Sequence, residues 1–299
     1  MTTLRANPTL PTARWAAPAL VAVLCVVWSS TWWAIRVCLE EHPPISSCAV
    51  RFAVAAVAMA LLTPLLRARE QAAPPQTWLW LVCGLTNFGV GYGVLYIAET
   101  VVPSGIAAVL WAVFPLLMAC SATCFLGERL RPAQWLGFAV SFSGIVVVFS
   151  GDLGGVDDRN VGYAWLLLLS PLIATFGTTT VKKYGSDRSS VLLNRNGMLV
   201  GAALLAAWAF VLEEPLAMTW STRTITATLY LAVLGTTMTF GIYFWLLRTA
   251  PASMLALINY AIPVLAMVFA ALVGDGEHGA LAWTGAGLVV LGVAMVVRK

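Results

Sequence analysis

The sequence predicts an all-α integral membrane protein: ten transmembrane helices forming two inverted five-helix repeats around a central cavity. Three observations predict this. Composition is the first: 60% of the 299 residues are hydrophobic and only 10% are charged, against roughly 25% charged in an average soluble domain. A soluble chain of this size needs a polar coat that these residues do not supply, so lipid must cover the surface. The second is a series of ten apolar runs. The third is the recurrence of the first half of the chain in the second.

The runs have cores at Trp15–Val37, Ile45–Leu66, Thr77–Ala98, Ser104–Leu126, Ala133–Phe149, Gly162–Val181, Val191–Leu212, Thr224–Leu247, Ala252–Val273 and Ala280–Val297. Each is long enough to cross a hydrocarbon layer of ~30 Å at ~1.5 Å per residue. Turn formers separate them, among them His42-Pro43-Pro44, Ala73-Pro74-Pro75, Arg131-Pro132, Gly151 to Asn160 and Gly185-Ser186-Asp187. No connection has room for a soluble domain, so the work is done within the membrane. The tail, residues 1–14, has no basic segment leading into a small-residue cleavage site, and the first run reads as a retained helix.

Charge sets the orientation. With both termini cytoplasmic, the inner segments carry Arg5, Arg14, Arg67, Arg69, Arg129, Arg131, Lys182, Lys183, Arg188, Arg248, Arg298 and Lys299, and the outer ones carry Arg36, Arg159 and Arg223. The bias holds at every inner loop. Compact loops and the lack of an organelle signal fit a bacterial inner membrane. The net charge of +4 is scattered rather than striped, which argues against a nucleic-acid partner. The cysteines have no zinc or redox spacing. Cys38 and Cys48 flank the first outer loop, as a pair or as two free thiols. His42 and His278 read as solvated loop residues without ligand partners, so neither a metal nor a cofactor is expected.

Shifted by 148 positions, Pro103 meets Pro251, Pro115 meets Pro263, Trp135 meets Trp283, Gly137 meets Gly285 and Gly144 meets Gly292. Near the start of each half the shift is 144, where Thr31 meets Thr175 and Arg51 meets Arg195. The halves are 15–150 and 161–299. Five helices is an odd number, so the second half enters the membrane inverted, as in many transporters with a site near the midplane.

Phe114-Pro115, then Leu126-Gly127-Glu128-Arg129-Leu130, then Gly137 and Gly144, form a skeleton that the second half echoes through Ile262-Pro263, Gly285 and Gly292. This order resembles the EamA-type repeat of the drug/metabolite transporter superfamily over essentially the whole chain. The Trp-rich first helix and Gly89-Val90-Gly91-Tyr92-Gly93 are most similar to its aromatic amino-acid exporters. The resemblance implies a membrane transporter, not an enzyme, that exports small organic metabolites such as aromatic or hydrophobic amino acids by alternating access. The second half departs from the pattern at Gly274-Asp275-Gly276-Glu277-His278, so no paired role of Glu128 and Arg129 carries over there.

Other substrates of that class remain alternatives. Lipophilic toxic compounds suit an apolar cavity, whereas nucleotide sugars call for several deep Lys or Arg. An intramembrane enzyme would need a nucleophile–base pair that the runs lack.

Trp111 and Asn259 occupy matching positions, each one turn before its proline. Pro115 and Pro263 free a carbonyl and let their helices bend. The pair either frames a cavity or serves packing, with Trp111 toward lipid. Asn87 and Tyr92 lie on a helix rich in glycine, where Gly91 and Gly93 allow either close packing or gating. Trp32, one turn after Trp28, and its partner Phe176 at the shift of 144 are cavity walls or core. Arg51 and Arg195 are the only deep charges; they snorkel to the interface or hold a substrate carboxylate at a gate. No Asp or Glu is expected deep in any run, which argues against tight proton coupling. Gly127-Glu128-Arg129 reads as a helix-terminal turn.

Overall fold

The computed structural model describes residues 16–70, 72–102, 104–150, 158–213, 217–273 and 279–298. The tail 1–14, Pro103 and the segment 274–278, which includes His278, lie outside the described residues. The fold is helical throughout: α1 (Ala16–Leu39), α2 (Pro44–Glu70), α3 (Thr77–Cys83), α4 (Gly91–Glu99), α5 (Ser104–Trp111), α6 (Phe114–Phe125), α7 (Pro132–Val148), α8 (Asp158–Gly185), α9 (Ser190–Leu212), α10 (Thr222–Ala232), α11 (Thr239–Thr249), α12 (Ala252–Ala256), α13 (Ile258–Val273) and α14 (Ala280–Val297). Among the described residues, eight helical segments are long and apolar enough to cross a membrane, and Pro132–Val148 and Ala252–Val268 are shorter apolar helices. Helix α8 begins at Asp158, earlier than the apolar pattern, because its first turn is the polar Asp158-Arg159-Asn160.

Four of the apolar runs are not uniform helices. Between α3 and α4 the chain widens into a π-helix over Gly84–Val90, and between α10 and α11 into another over Val233–Met238. Hydroxyls take up backbone carbonyls around both: Thr86 Oγ1 donates to Val82 O, and Thr236 and Thr237 donate five residues back to Leu231 O and Ala232 O. Carbonyls displaced by such widening need partners in lipid. Ser170 Oγ supplies one to Gly91 O at 2.7 Å. The other two interruptions are turns, at Ala112–Val113 before Pro115 and at Leu257.

Glycines set the closest helix approaches. On α7 and α14, Gly137 lies against Gly292 and Gly144 against Gly285, each placing a would-be Cβ 2.7 Å from the opposite carbonyl oxygen. The contact numbers run in opposite senses, so the two helices are antiparallel. Neither backbone can retreat, and Gly285→Ala is expected to cost about 1–3 kcal/mol by overpacking, lowering the apparent melting temperature of the purified protein by roughly 3–10 °C. Gly287, on the same helix, has open space around its Cβ position, and Gly287→Ala is the matched control that should leave the melt unchanged or raise it. Equal melts for the two variants would show that the contact is not tight.

Helices α2 and α9 cap one another. Glu213 accepts from the Ile45 and Ser46 amides at 2.8 Å each and from Ser46 Oγ at 2.7 Å. Glu70 accepts from the Ser190 amide at 2.6 Å, from the Ser189 and Ser190 hydroxyls, and from Arg248 at 3.1 Å. Each carboxylate satisfies orphan donors at a helix N-terminus and complements its dipole. Glu41 accepts from the Ser221 and Thr224 hydroxyls at the start of α10 and is held below the usual carboxylate range chiefly by Ser221 and also by Thr224. His42 is buried rather than solvated: a ring nitrogen lies 3.0 Å from Thr219 O, and Trp220 packs against it. Cys38 and Cys48 are buried free thiols.

Candidate functional site

A cavity of about 760 Å³, counting its open mouth, lies among α1, α2, α4, α5, α6, α8, α11, α13 and the first π-helix. Helix α1 presents Trp28, Thr31, Trp32 and Ile35, the three- and four-residue spacing of a single helical face. Opposite walls come in pairs at the shift of 148. Tyr92 and Leu95 on α4 correspond to Phe240 and Tyr243 on α11, and Trp111 and Phe114 correspond to Asn259 and Ile262; all eight line the cavity. Aromatic edges hold the walls in place, with Trp28 against Phe240 at 5.5 Å and against Tyr243 at 5.6 Å, and Trp111 against Phe114 at 5.6 Å.

Its polar groups are few. Asn87, carried on the first π-helix, accepts from Thr178 Oγ1 at 3.0 Å and donates to Thr86 Oγ1 at 3.1 Å. Gly177 gives it room, because a Cβ there would collide with the Thr86 and Asn87 side chains. Asn259 donates to Ala256 O within its own turn at 3.2 Å. The Trp111 indole nitrogen is buried and has no hydrogen-bond partner, a rare condition for a buried donor.

Among the described residues, Arg51 is the one cation lining the cavity, and it is 2% exposed. Its Nε donates to Thr236 Oγ1 at 2.9 Å, and its terminal nitrogens donate to Tyr96 Oη at 3.1 Å and Gly235 O at 3.4 Å. The guanidinium lies 5.1 Å from the Tyr92 ring centre, a cation–π distance. Every one of these partners is neutral, and among the described residues no carboxylate lies within ion-pair distance of Arg51. A guanidinium stays charged when buried. It therefore faces the cavity as a cation without an ion-paired partner among the described residues, held by a preformed shell, with the buried Glu99 carboxylate acting on it only at longer range.

Of the residues singled out in the sequence, Trp32, Asn87, Tyr92, Trp111, Asn259 and Arg51 are brought together here. Phe176 is not. It is 61% exposed on the outer face of α8, because it stands two residues from both Ala174 and Thr178, which face the cavity, and two residues turn a helix by roughly 200°. Arg195 is half-buried outside the cavity and donates to Asn196. Gly93 admits Trp208 of α9, whose ring lies 2.7 Å from its would-be Cβ, and Gly91 follows the first π-helix. Pro115 opens α6, while Pro263 lies inside α13.

Sequence reasoning missed Phe240, Tyr243 and Ile262, although carrying the shift of 148 from Tyr92, Leu95 and Phe114 would have found them. It also missed Glu99. That carboxylate closes α4 one turn beyond Leu95, and its Oε2 is buried without a partner, so the expectation of no buried acid does not hold.

The model of the EamA-like transporter family matches residues 15–150 and 161–298. The chain is 30% identical over 280 residues to the inner membrane transporter YedA of Escherichia coli, covering 91% of this chain and 88% of that protein. It is 29% identical over 283 residues to a probable terminal-alkyne amino-acid exporter of Streptantibioticus cattleyicolor, covering 92% and 91%. Protein PagO of Salmonella typhimurium is 25% identical over 248 residues, covering 83% and 82%. A solved crystal structure shares the fold with a TM-score of 0.81 at 19% identity, over 95% of this chain and 98% of that one.

Proposed function

Because the chain belongs to the EamA-like transporter family, we propose that it exports amino acids with aromatic or other hydrophobic side chains by alternating access across a bacterial inner membrane. The observation that carries this reading is Arg51: a buried cation without an ion-paired carboxylate among the described residues, in a cavity that seven aromatic side chains also line. Arg51 takes the substrate carboxylate, and the aromatic walls take its side chain. The Trp111 N–H offers a further donor. The exporter from Streptantibioticus cattleyicolor, an amino-acid exporter by name, supports the substrate class.

The scaffold in this reading is ten membrane-crossing rods in two inverted repeats, 15–150 and 161–299, with the tail 1–14 and both termini cytoplasmic. Three features support it. The equivalent helices α7 and α14 pack antiparallel through their matching glycines. The two π-helices occupy corresponding places in the two halves. The cavity walls pair at the repeat shift. Pro115, Pro263, Gly91 and Gly93 are the points at which rods bend between states, and Arg195 anchors the inner interface.

Flux in liposomes tests the proposal. Labelled phenylalanine should enter empty vesicles saturably, compete with other hydrophobic amino acids, and run down its own gradient at zero pH difference. Absence of saturable, competed flux for every amino acid would sink the substrate class. Strict dependence on an imposed proton gradient would overturn uncoupled transport and turn attention to Glu99, the buried carboxylate one turn beyond Leu95 of the cavity wall.

A further inference from the structure

Two charged side chains seize one short connection. The link between α11 and α12 begins at Thr249 and ends at Ala252. Lys182, near the end of α8, points its ammonium at the last carbonyls of α11 and the link, donating to Leu247 O at 2.7 Å, Ala250 O at 3.0 Å and Arg248 O at 3.4 Å. Glu128 takes the other side. It accepts from the Ala252 amide at 2.7 Å, the Ser253 amide at 3.3 Å and the Ser253 hydroxyl. A cation thus sits at a helix C-terminus and an anion at the next helix N-terminus, each satisfying orphan groups and matching the local dipole.

The two clamping residues come from helices that hold together. Ser121 of α6 bonds Thr179 of α8 at 2.7 Å. Glu128 is presented by a turn in which Gly127 takes φ 71° and the Glu128 amide returns to Ala122 O. So α6 with α8 grips α11 with α12. These two groups also supply facing walls of the cavity: Phe114, Ala174 and Thr178 on one, Phe240 and Tyr243 on the other. The clamp joins the walls at the end rich in Lys and Arg. At the opposite end, the shift of 144 puts Cys38 where Lys182 stands, and its sulfur is turned to Thr228 Oγ1 at 3.6 Å. At the position of the ammonium there stands a thiol bonded to its own neighbour on α10.

We propose that Glu128 and Lys182 are the inner gate, holding the cavity shut toward the cytoplasm in the state described and releasing the α11–α12 link when the cavity turns inward. Glu128 belongs to the Gly-Glu-Arg segment, which sequence alone reads as a helix terminus; here its carboxylate acts on another helix. The proposal rests on the transporter reading, but its test needs no substrate.

Ala174→Cys places a thiol on the cavity wall of otherwise full-length protein. Labelling by a membrane-impermeant maleimide is read by peptide mass in right-side-out and inside-out vesicles, so the native cysteines do not interfere. Ala174→Cys alone should react from the outer face. Adding Glu128→Gln, or separately Lys182→Met, should raise the inner-face rate on the order of tenfold, as a two-state equilibrium relieved of a state-specific contact requires. Inner-face labelling unchanged in both variants, each monodisperse after purification, would overturn the gate. So would a rise from both faces together, which reports loose packing. If amino-acid flux fails while the inner-face rate still rises, the substrate assignment falls and the gate stands.

Discussion

Arg51→Gln is expected to lower phenylalanine flux at low substrate concentration by roughly 30- to 150-fold, the loss of ~2–3 kcal/mol that removal of one partner from a buried charge-assisted contact brings. The cause is specific. Burial leaves Arg51 2% exposed, where it is held by three neutral acceptors, Thr236, Tyr96 and Gly235. None of these neutralises it, so an incoming carboxylate meets a cation that has already lost its water. Because those bonds also tie α2 to α4 and the second π-helix, a drop in flux alone does not separate binding from folding. The comparison with 2-phenylethylamine does. This amine keeps the aromatic side chain but has no carboxylate, and its weaker transport should change little in Arg51→Gln. Arg51→Lys keeps the charge but loses the planar fork, and should recover part of the phenylalanine flux. Equal proportional loss for amine and amino acid, per folded protein, would reduce Arg51 to a structural tie.

Much of this geometry was legible in the sequence because lipid imposes few solutions. Apolar run lengths located the eight segments long enough to cross a membrane, and matching Pro, Trp and Gly at one shift put Trp111 in register with Asn259. What stayed hidden depends on rotation and on polar contacts between distant helices. Phe176 matched Trp32 by number, yet faces outward, because a shift read from a few residues does not fix helical phase to within the 100° of one residue. The π-helices over Gly84–Val90 and Val233–Met238 add a residue to a turn, and no run length reveals that. Glu70, Glu128 and Glu213 each bond the N-terminal amides of another helix, and a carboxylate at a helix end looks the same in sequence whether it meets water or such amides. Arg51 was visible as a deep charge, but snorkelling and anchoring differ only in where the guanidinium ends, and in the fold it ends inside the cavity.

Trp111→Ala should weaken aromatic substrates by a few-fold to about tenfold and aliphatic ones much less. Trp111 and Asn259 stand one turn before Pro115 and Pro263, and both line the cavity. An aromatic contact is worth ~0.5–1.5 kcal/mol beyond area burial, and ~1.4 kcal/mol is one decade of affinity. The indole also has a second use that the unpartnered nitrogen exposes. Trp111→Phe keeps a ring but deletes the donor, and a net hydrogen bond is worth ~0.5–1.5 kcal/mol. If that N–H meets a substrate oxygen, Trp111→Phe should weaken phenylalanine and threonine alike, by roughly two- to tenfold, while Trp111→Ala adds a further loss for phenylalanine alone. Asn259→Ala removes a donor and an acceptor from the facing wall and should weaken all amino acids without regard to side chain. Packing alone predicts otherwise: lower yield of folded protein, with unchanged selectivity in what remains. Flux is therefore normalised to folded protein in the membrane. Equal loss of phenylalanine and threonine transport in Trp111→Ala, together with wild-type behaviour in Trp111→Phe, would remove the indole from the substrate's path.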